Sequence, residues 1–362
     1  MIRLDVRPTP SLAMSVLSPV IALSVTVTLG GLLFLALGQE PGRVLSMFLF
    51  EPFNGARALT ELGLKCTPLI LCALGLGLCF RANVWNIGAE GQFLMGAITG
   101  GGLALWVTNA QLALSPWAFF PLVVVAGAAG GAAWAGIVAL LRDRFHANEI
   151  LVSLMLVYVA DLLLSWLVFG PWKDPRGFNF PQTVNFSAAT ELPRVVPGLR
   201  LHWGFAFALV AAVLMWLFMF RTYRGVRLQI GGPAPAAARY AGFSASGAIW
   251  TTLLLSGALA GIAGAFEAAG PMGQLTPHVA SGYGFTAVIV AFVGRLHPIG
   301  ALLGSVVLSA LVIGGQLAQS RVGLPASVSG VFQGILLLSL LACDTLIHHR
   351  LRLVGWGRRT AP

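Results

Sequence analysis

The segment Arg81–Gly91, RANVWNIGAEG, sets an ionisable side chain between two apolar runs, Leu62–Phe80 and Phe93–Val107. Glu90 therefore falls at or near membrane depth. A carboxylate at the centre of a spanning helix costs roughly 2.5–3.5 kcal/mol, so such residues face a bundle interior or a watery path. Asn83, Asn86 and Gln92 add amide donors and acceptors, and Trp85 and Phe93 add aromatic faces. These groups could hydrogen-bond and stack a polar solute. A second use is open for Glu90: pairing with a neighbouring span or with the backbone amides of a broken helix, which Gly88 and Gly91 would permit. No Ser/His/Asp or Cys/His arrangement and no acid pair at catalytic spacing is present, so the chain reads as a transporter and not an enzyme. Cys66, Cys72, Cys79 and Cys343 lie in or beside apolar runs without a CxxC pair and read as small core residues; no cluster has metal-ligand spacing.

The elements that must position these groups are membrane helices. Of 362 residues, 57% are hydrophobic and 9% charged, where soluble domains carry about 25% charged residues. Mean hydropathy is +0.85. A net charge of +10 would suggest nucleic acid in a soluble protein, but here the arginines fall between apolar runs, the pattern of positive-inside topology. With about 20 residues per span, ten spans are predicted at 16–38, 62–80, 84–107, 119–141, 148–169, 203–220, 248–269, 276–294, 298–316 and 324–343. The reading is an all-α integral membrane protein, a single domain over 1–362. Both termini are placed in the cytoplasm, because Arg81, Arg142, Arg144, Arg221, Arg224, Arg227 and Arg295 then share the inside with the basic tail. Ser281–Gly284 interrupts the eighth span, which reads as short or broken. Asp161, deep in the fifth span, fits an interhelical hydrogen bond or a proton relay. Asn148 fits the N-cap of that span.

Two connections exceed mere turns. The outer loop 170–202 is proline-rich with mixed charge and serves either as a partner-binding surface or as a solvated loop. The inner connection 221–247 contains Pro235–Gly242, PAAARYAG, which fits a short helix with proline in its first turn and glycine at its end.

Four segments carry a family resemblance: FRANVWNIGAEGQFLMGA (80–97), NEILVSLML (148–156), GPWKDPRGFNFPQT (170–183), and GGPAPAAARYAGFSASG (231–247) followed by GFTAVIVAFVGRLHPIGALLG (284–304). In them the chain resembles the permease subunits of ABC importers, in the branch that contains ribose, branched-chain amino acid and nucleoside permeases. It looks most like the nucleoside-type permeases served by a basic-membrane-protein-like binding lipoprotein. The resemblance implies a bacterial inner-membrane subunit that forms the pathway for a nucleoside or related solute. It also implies two ATPase subunits that hold ATP and Mg, a second permease chain, itself a paralogue, and an extracytoplasmic binding protein. Simple sugars would suit the same polar groups. The resemblance further makes 221–247 the ATPase-coupling loop, with Ala237, Ala238, Arg239, Tyr240 and Gly242 in the coupling segment. Ala236 stands where the family pattern has glutamate, and Val157 where asparagine would follow the LML run. The chain has no G-x-x-x-x-G-K-[ST] phosphate loop, so it binds no cofactor on this reading. The rival from another class is a stand-alone ion-coupled transporter using Glu90, Asp161 or Glu267.

Overall fold

The computed structural model describes residues 2–6, 12–232, 238, 240 and 242–353. Their secondary structure is helical apart from one short antiparallel ribbon and an isolated bridge. The larger of two compact units is Gly55–Ser309. It holds α3 (Ala56–Arg81), α4 (Ala89–Asn109), α5 (Pro116–Phe145), α6 (Glu149–Phe169), α7 (Gly204–Arg221), α8 (Tyr223–Gly231), α9 (Ala245–Glu267), α10 (Tyr283–Val293) and the start of α11 (Pro298–Val322). A π-helical turn, Ala268–Met272, continues α9.

The helix starts follow local chemistry. Ser115 Oγ accepts the Ala118 N–H ahead of Pro116, Ser244 Oγ accepts that of Gly247, and Asn148 Oδ1 accepts those of Ile150 and Leu151, the N-cap read from sequence. Each supplies an acceptor for first-turn amides that have no helical partner.

Glycine sets how closely α4, α5 and α9 pack. A methyl group on Gly96 would strike the Gly261 carbonyl, one on Gly131 the Gly257 carbonyl, and one on Gly264 the Phe93 carbonyl. Between lipid-soluble helices the driving force is close van der Waals contact, which small residues permit. Helix α3 runs through this unit buried from Leu62 to Phe80 except for Lys65.

The second unit, residues 1–54 with 310–362, holds α1 (Leu12–Ala36), α2 (Pro41–Leu49), the end of α11 and α12 (Ser327–His348). Phe34, Phe48 and Phe332 stack with centroids 5.1–5.9 Å apart, and Gly30 makes room for the Phe332 ring. Arg321 pairs with Glu51 at 2.6 Å. β1 (Ile2–Val6) pairs antiparallel with β2 (His349–Leu353), Ile2 opposite Leu353; this ribbon departs from the all-α expectation.

Every predicted span overlaps a helix, and among the described residues six helices are long and apolar enough to cross a membrane by length and composition. The eighth span differs from a full crossing. Only 11 of its residues, Tyr283–Val293, are helical; Gly282, at φ +80°, ends the irregular stretch that precedes them.

Candidate functional site

Glu90 sits in the first turn of α4 and is 4% exposed. Its carboxylate accepts the Gly282 N–H at 2.9 Å and the Gly284 N–H at 2.5 Å. It thus caps the N-terminus of α10, a different helix. The first amides of any helix lack internal partners, and in hydrocarbon no water can supply them. A carboxylate there also meets the positive end of the helix dipole. Gly284 is required for the approach, since a methyl group on it would strike the Glu90 backbone.

The amides predicted beside Glu90 are divided. Asn86 and Gln92 are buried and bond each other reciprocally at 3.0 and 3.1 Å. Asn86 also donates to Ser256 Oγ and accepts the Gly88 N–H. This pair fixes the non-helical crossing between α3 and α4 to α9. Phe93 is fully buried against Tyr283, centroids 5.7 Å apart. Asn83 and Trp85 are exposed and bond each other at 3.3 Å. The structure therefore gathers Asn86, Glu90, Gln92 and Phe93 into the interior and leaves Asn83 and Trp85 accessible.

A second polar cluster lies nearer the start of α3. Tyr283 donates to Glu267 Oε1 at 3.2 Å, Lys65 donates to the Tyr283 hydroxyl at 2.5 Å, and Lys65 Nζ lies 3.7 Å from Glu267. One helical turn along α3, Glu61 faces Arg200 at 3.5 Å, and Arg200 donates to the Pro271 carbonyl. Glu267 was legible as an acid of the ion-coupled reading, without its partners. Lys65 was not singled out in sequence, although it falls within the predicted span 62–80. Tyr283 gave no signal. Asp161 is exposed on α6 and makes no hydrogen bond or ion pair among the described residues. The expected interhelical bond is absent because that face of α6 has no neighbouring helix within its unit.

The loop 170–202 is strapped to the chain after α9. Thr183 and Leu275 exchange bonds, and Phe186 and Leu192 donate to the Gly273 and Ala269 carbonyls. His202 closes this loop, buried, with its Nδ1 accepting the Gly204 N–H at 3.1 Å. Accepting through Nδ1 requires the neutral ring, and burial pushes its pKa down to about 4. Between about pH 6.5 and pH 4 the unfolded chain takes up a proton that the fold refuses. Stability should thus fall with acidification across that window, by about 3 kcal/mol at most. Thermal unfolding of the purified chain at pH 7.5 and pH 5 checks this; His202→Asn should flatten the difference.

At the basic end, Arg81 donates to the Leu296 carbonyl and to Gln229. A crevice of about 590 Å³ opens here, lined among others by Arg142, Asp143, His146, Glu149, Arg224 and Arg227. Asp143 accepts from Ser246 and Trp250 at 2.8 and 3.0 Å, which ties the end of α5 to the start of α9. In the predicted coupling segment, Ala238 is buried, Tyr240 is 96% exposed, and Gly242 takes φ +76°. Ala236, Ala237 and Arg239, and with them most of the predicted short helix, lie outside the described residues. Among the described residues no group of acids, histidines and cysteines could hold a metal.

Residues 59–341 match the family described as branched-chain amino acid transport system, permease component. The glucose ABC transporter permease protein TsgB13 of Haloferax volcanii is 34% identical, over 99% of this chain and 95% of its own. Two Bacillus subtilis proteins are also similar. The guanosine ABC transporter permease protein NupP is 30% identical over 89% of this chain and 92% of its own. NupQ, another guanosine permease protein, is 29% identical over 65% and 74%.

Proposed function

The chain belongs to the permease family of the branched-chain amino acid transport system and is an ABC transporter permease; from that premise we propose that it forms half of the translocation pathway of an importer for nucleosides or related neutral solutes. The observation that carries the reading is the match over residues 59–341, joined to a helical body with polar groups held at membrane depth. Simple sugars are the second reading, favoured by the 34% identity to a glucose permease.

On this reading the other half of the pathway is a second permease chain. That NupP and NupQ, from one organism, are both similar to this chain supports a paralogue over a second copy. The basic end faces the cytoplasm of a bacterial inner membrane, as do both termini, and the helical body makes about ten crossings with α10 as one broken crossing. A binding protein delivers solute at the end bearing Arg200. ATP and Mg are held by partner ATPases, since this chain has no phosphate loop. Closure of the ATPases is felt at 221–247, and Asp143 relays it from the start of α9 to α5.

Purification in mild detergent with identification of every partner tests the assembly. Recovery of an ATPase and a second permease supports it; a chain that is recovered alone and still transports without ATP returns the argument to the ion-coupled rival. Uptake of labelled guanosine against labelled glucose by the reconstituted complex separates the two solute classes. Gly242→Val should lower solute-stimulated ATP hydrolysis at least severalfold, because a β-branched residue at positive φ costs on the order of 1–2 kcal/mol and reshapes the loop. Unaltered stimulation would remove Gly242 from coupling.

A further inference from the structure

Helix α10 is 11 residues long, or about 16 Å. It ends at the turn Gly294–His297, where Arg81 meets Leu296 and Arg295 follows. Guanidinium groups belong at a headgroup boundary. Gly282 therefore lies about 16 Å into a hydrocarbon layer about 30 Å thick, near its middle. The seven residues that lead to it, Thr276–Gly282, form neither helix nor strand. Backbone of that kind is tolerated at membrane depth only where protein buries it or where it lines a water-filled cavity. Ser281 is exposed, Gly282 is partly exposed, and Phe285, one turn into α10, is 43% exposed.

A second observation points the same way. Asp161 stands 12 residues into α6, about 18 Å from its start, exposed and without a hydrogen bond or ion pair among the described residues. A carboxylate facing lipid there would carry the full midplane cost. The first turn of α4 lies between the two: its Glu90 caps α10, and its Gly91 packs on Val157 of α6, one helical turn before Asp161. Both features thus border the same mid-membrane region.

We infer that Ser281, Gly282, Phe285 and Asp161 line an aqueous cavity through which solute passes. This rests on the importer reading and deepens it. The lining fixes the solute class. Glu90 is consumed by backbone amides, and Lys65 and Glu267 pair with each other, so among the described residues of this region Asp161 supplies the free charge. A carboxylate accepts hydrogen bonds from hydroxyl or amino groups and repels anions, while Phe285 offers a ring face. The cavity suits an uncharged, donor-rich ring compound, and not a phosphorylated one.

The test places Cys at Ser281, at Asp161 and, as a lipid-facing control, at Val213 of α7, which is 58% exposed. The four native thiols are buried and set a low background, measured on the unaltered chain. The assembled complex in proteoliposomes is treated with a charged, membrane-impermeant methanethiosulfonate reagent. Ser281→Cys and Asp161→Cys should react at least about tenfold faster than Val213→Cys, since the reactive thiolate forms in water and not in lipid. Their modification should block uptake. No reaction with the charged reagent overturns the inference; reaction with neutral N-ethylmaleimide alone would then assign the face to lipid, and reaction with neither would assign it to a protein contact. ATP-driven uptake by the unaltered complex is measured in the same vesicles, so failure of the importer reading shows as absent transport whatever the labelling.

Discussion

Replacing Gly261 with valine is expected to abolish recovery of folded chain. Gly261 lies on α9 where α5 crosses it, and a single methyl group there would strike the Gly127 carbonyl and the Gly131 backbone. The neighbour is main chain and cannot rotate aside, so the helices must separate. Overpacking costs about 1–3 kcal/mol where side chains can adjust and more where they cannot. Here separation would also lift Gly131 from Gly257 and Gly127 from Ala265. Against a total stability of about 5–15 kcal/mol, the fold should not survive at ordinary temperatures. Size-exclusion chromatography of the detergent-extracted variant reads this directly as loss of the monodisperse peak. Gly334→Ala is the matched control: nothing lies within 4 Å of its added methyl group, and alanine favours a helix over glycine by about 0.5–1 kcal/mol. A normal peak for Gly261→Val would show that the contact between α5 and α9 is not close.

Glu90→Ala should remove transport and lower the thermal midpoint together. The substitution leaves the Gly282 and Gly284 amides buried without acceptors, at about 1–3 kcal/mol each. The N-terminal turn of α10 then has no cap at membrane depth. Glu90→Gln keeps one acceptor and points an N–H₂ group at the other amide, so its midpoint should fall between those of Glu90→Ala and the unaltered chain. The shift should be the same with and without solute. A solute contact would behave differently: uptake would fall while the midpoint of the solute-free complex stayed put. Measuring midpoint and uptake on both variants therefore separates a capping role from a pathway role for this carboxylate.

Much of the fold was legible because hydrocarbon imposes a simple rule. Each span must satisfy its own backbone, so apolar runs of sufficient length become helices; every predicted range overlaps a helix for that reason, though the eighth is helical only over Tyr283–Val293. The N-caps at Asn148 and the interruption at Ser281–Gly284 were legible because they depend on a few adjacent residues. The site was legible only in part. Glu90 stands out in sequence as an acid among apolar residues, yet its partners are about 190 residues away. The same distance problem hid the Lys65, Glu267 and Tyr283 cluster, whose members come from α3, α9 and α10.

The sequence by itself determined that this is a helical membrane protein with polar groups set between apolar runs, because hydropathy and spacing are local properties. Only the tertiary structure decided what those groups do. Asn86 and Gln92 turned toward each other and toward Ser256, and Glu90 turned toward the amides of a broken helix. Asp161 was left facing outward. A polar group in an apolar medium binds whichever partner reaches it, and which partner arrives is set by how the glycine faces of α4, α5 and α9 bring distant segments together.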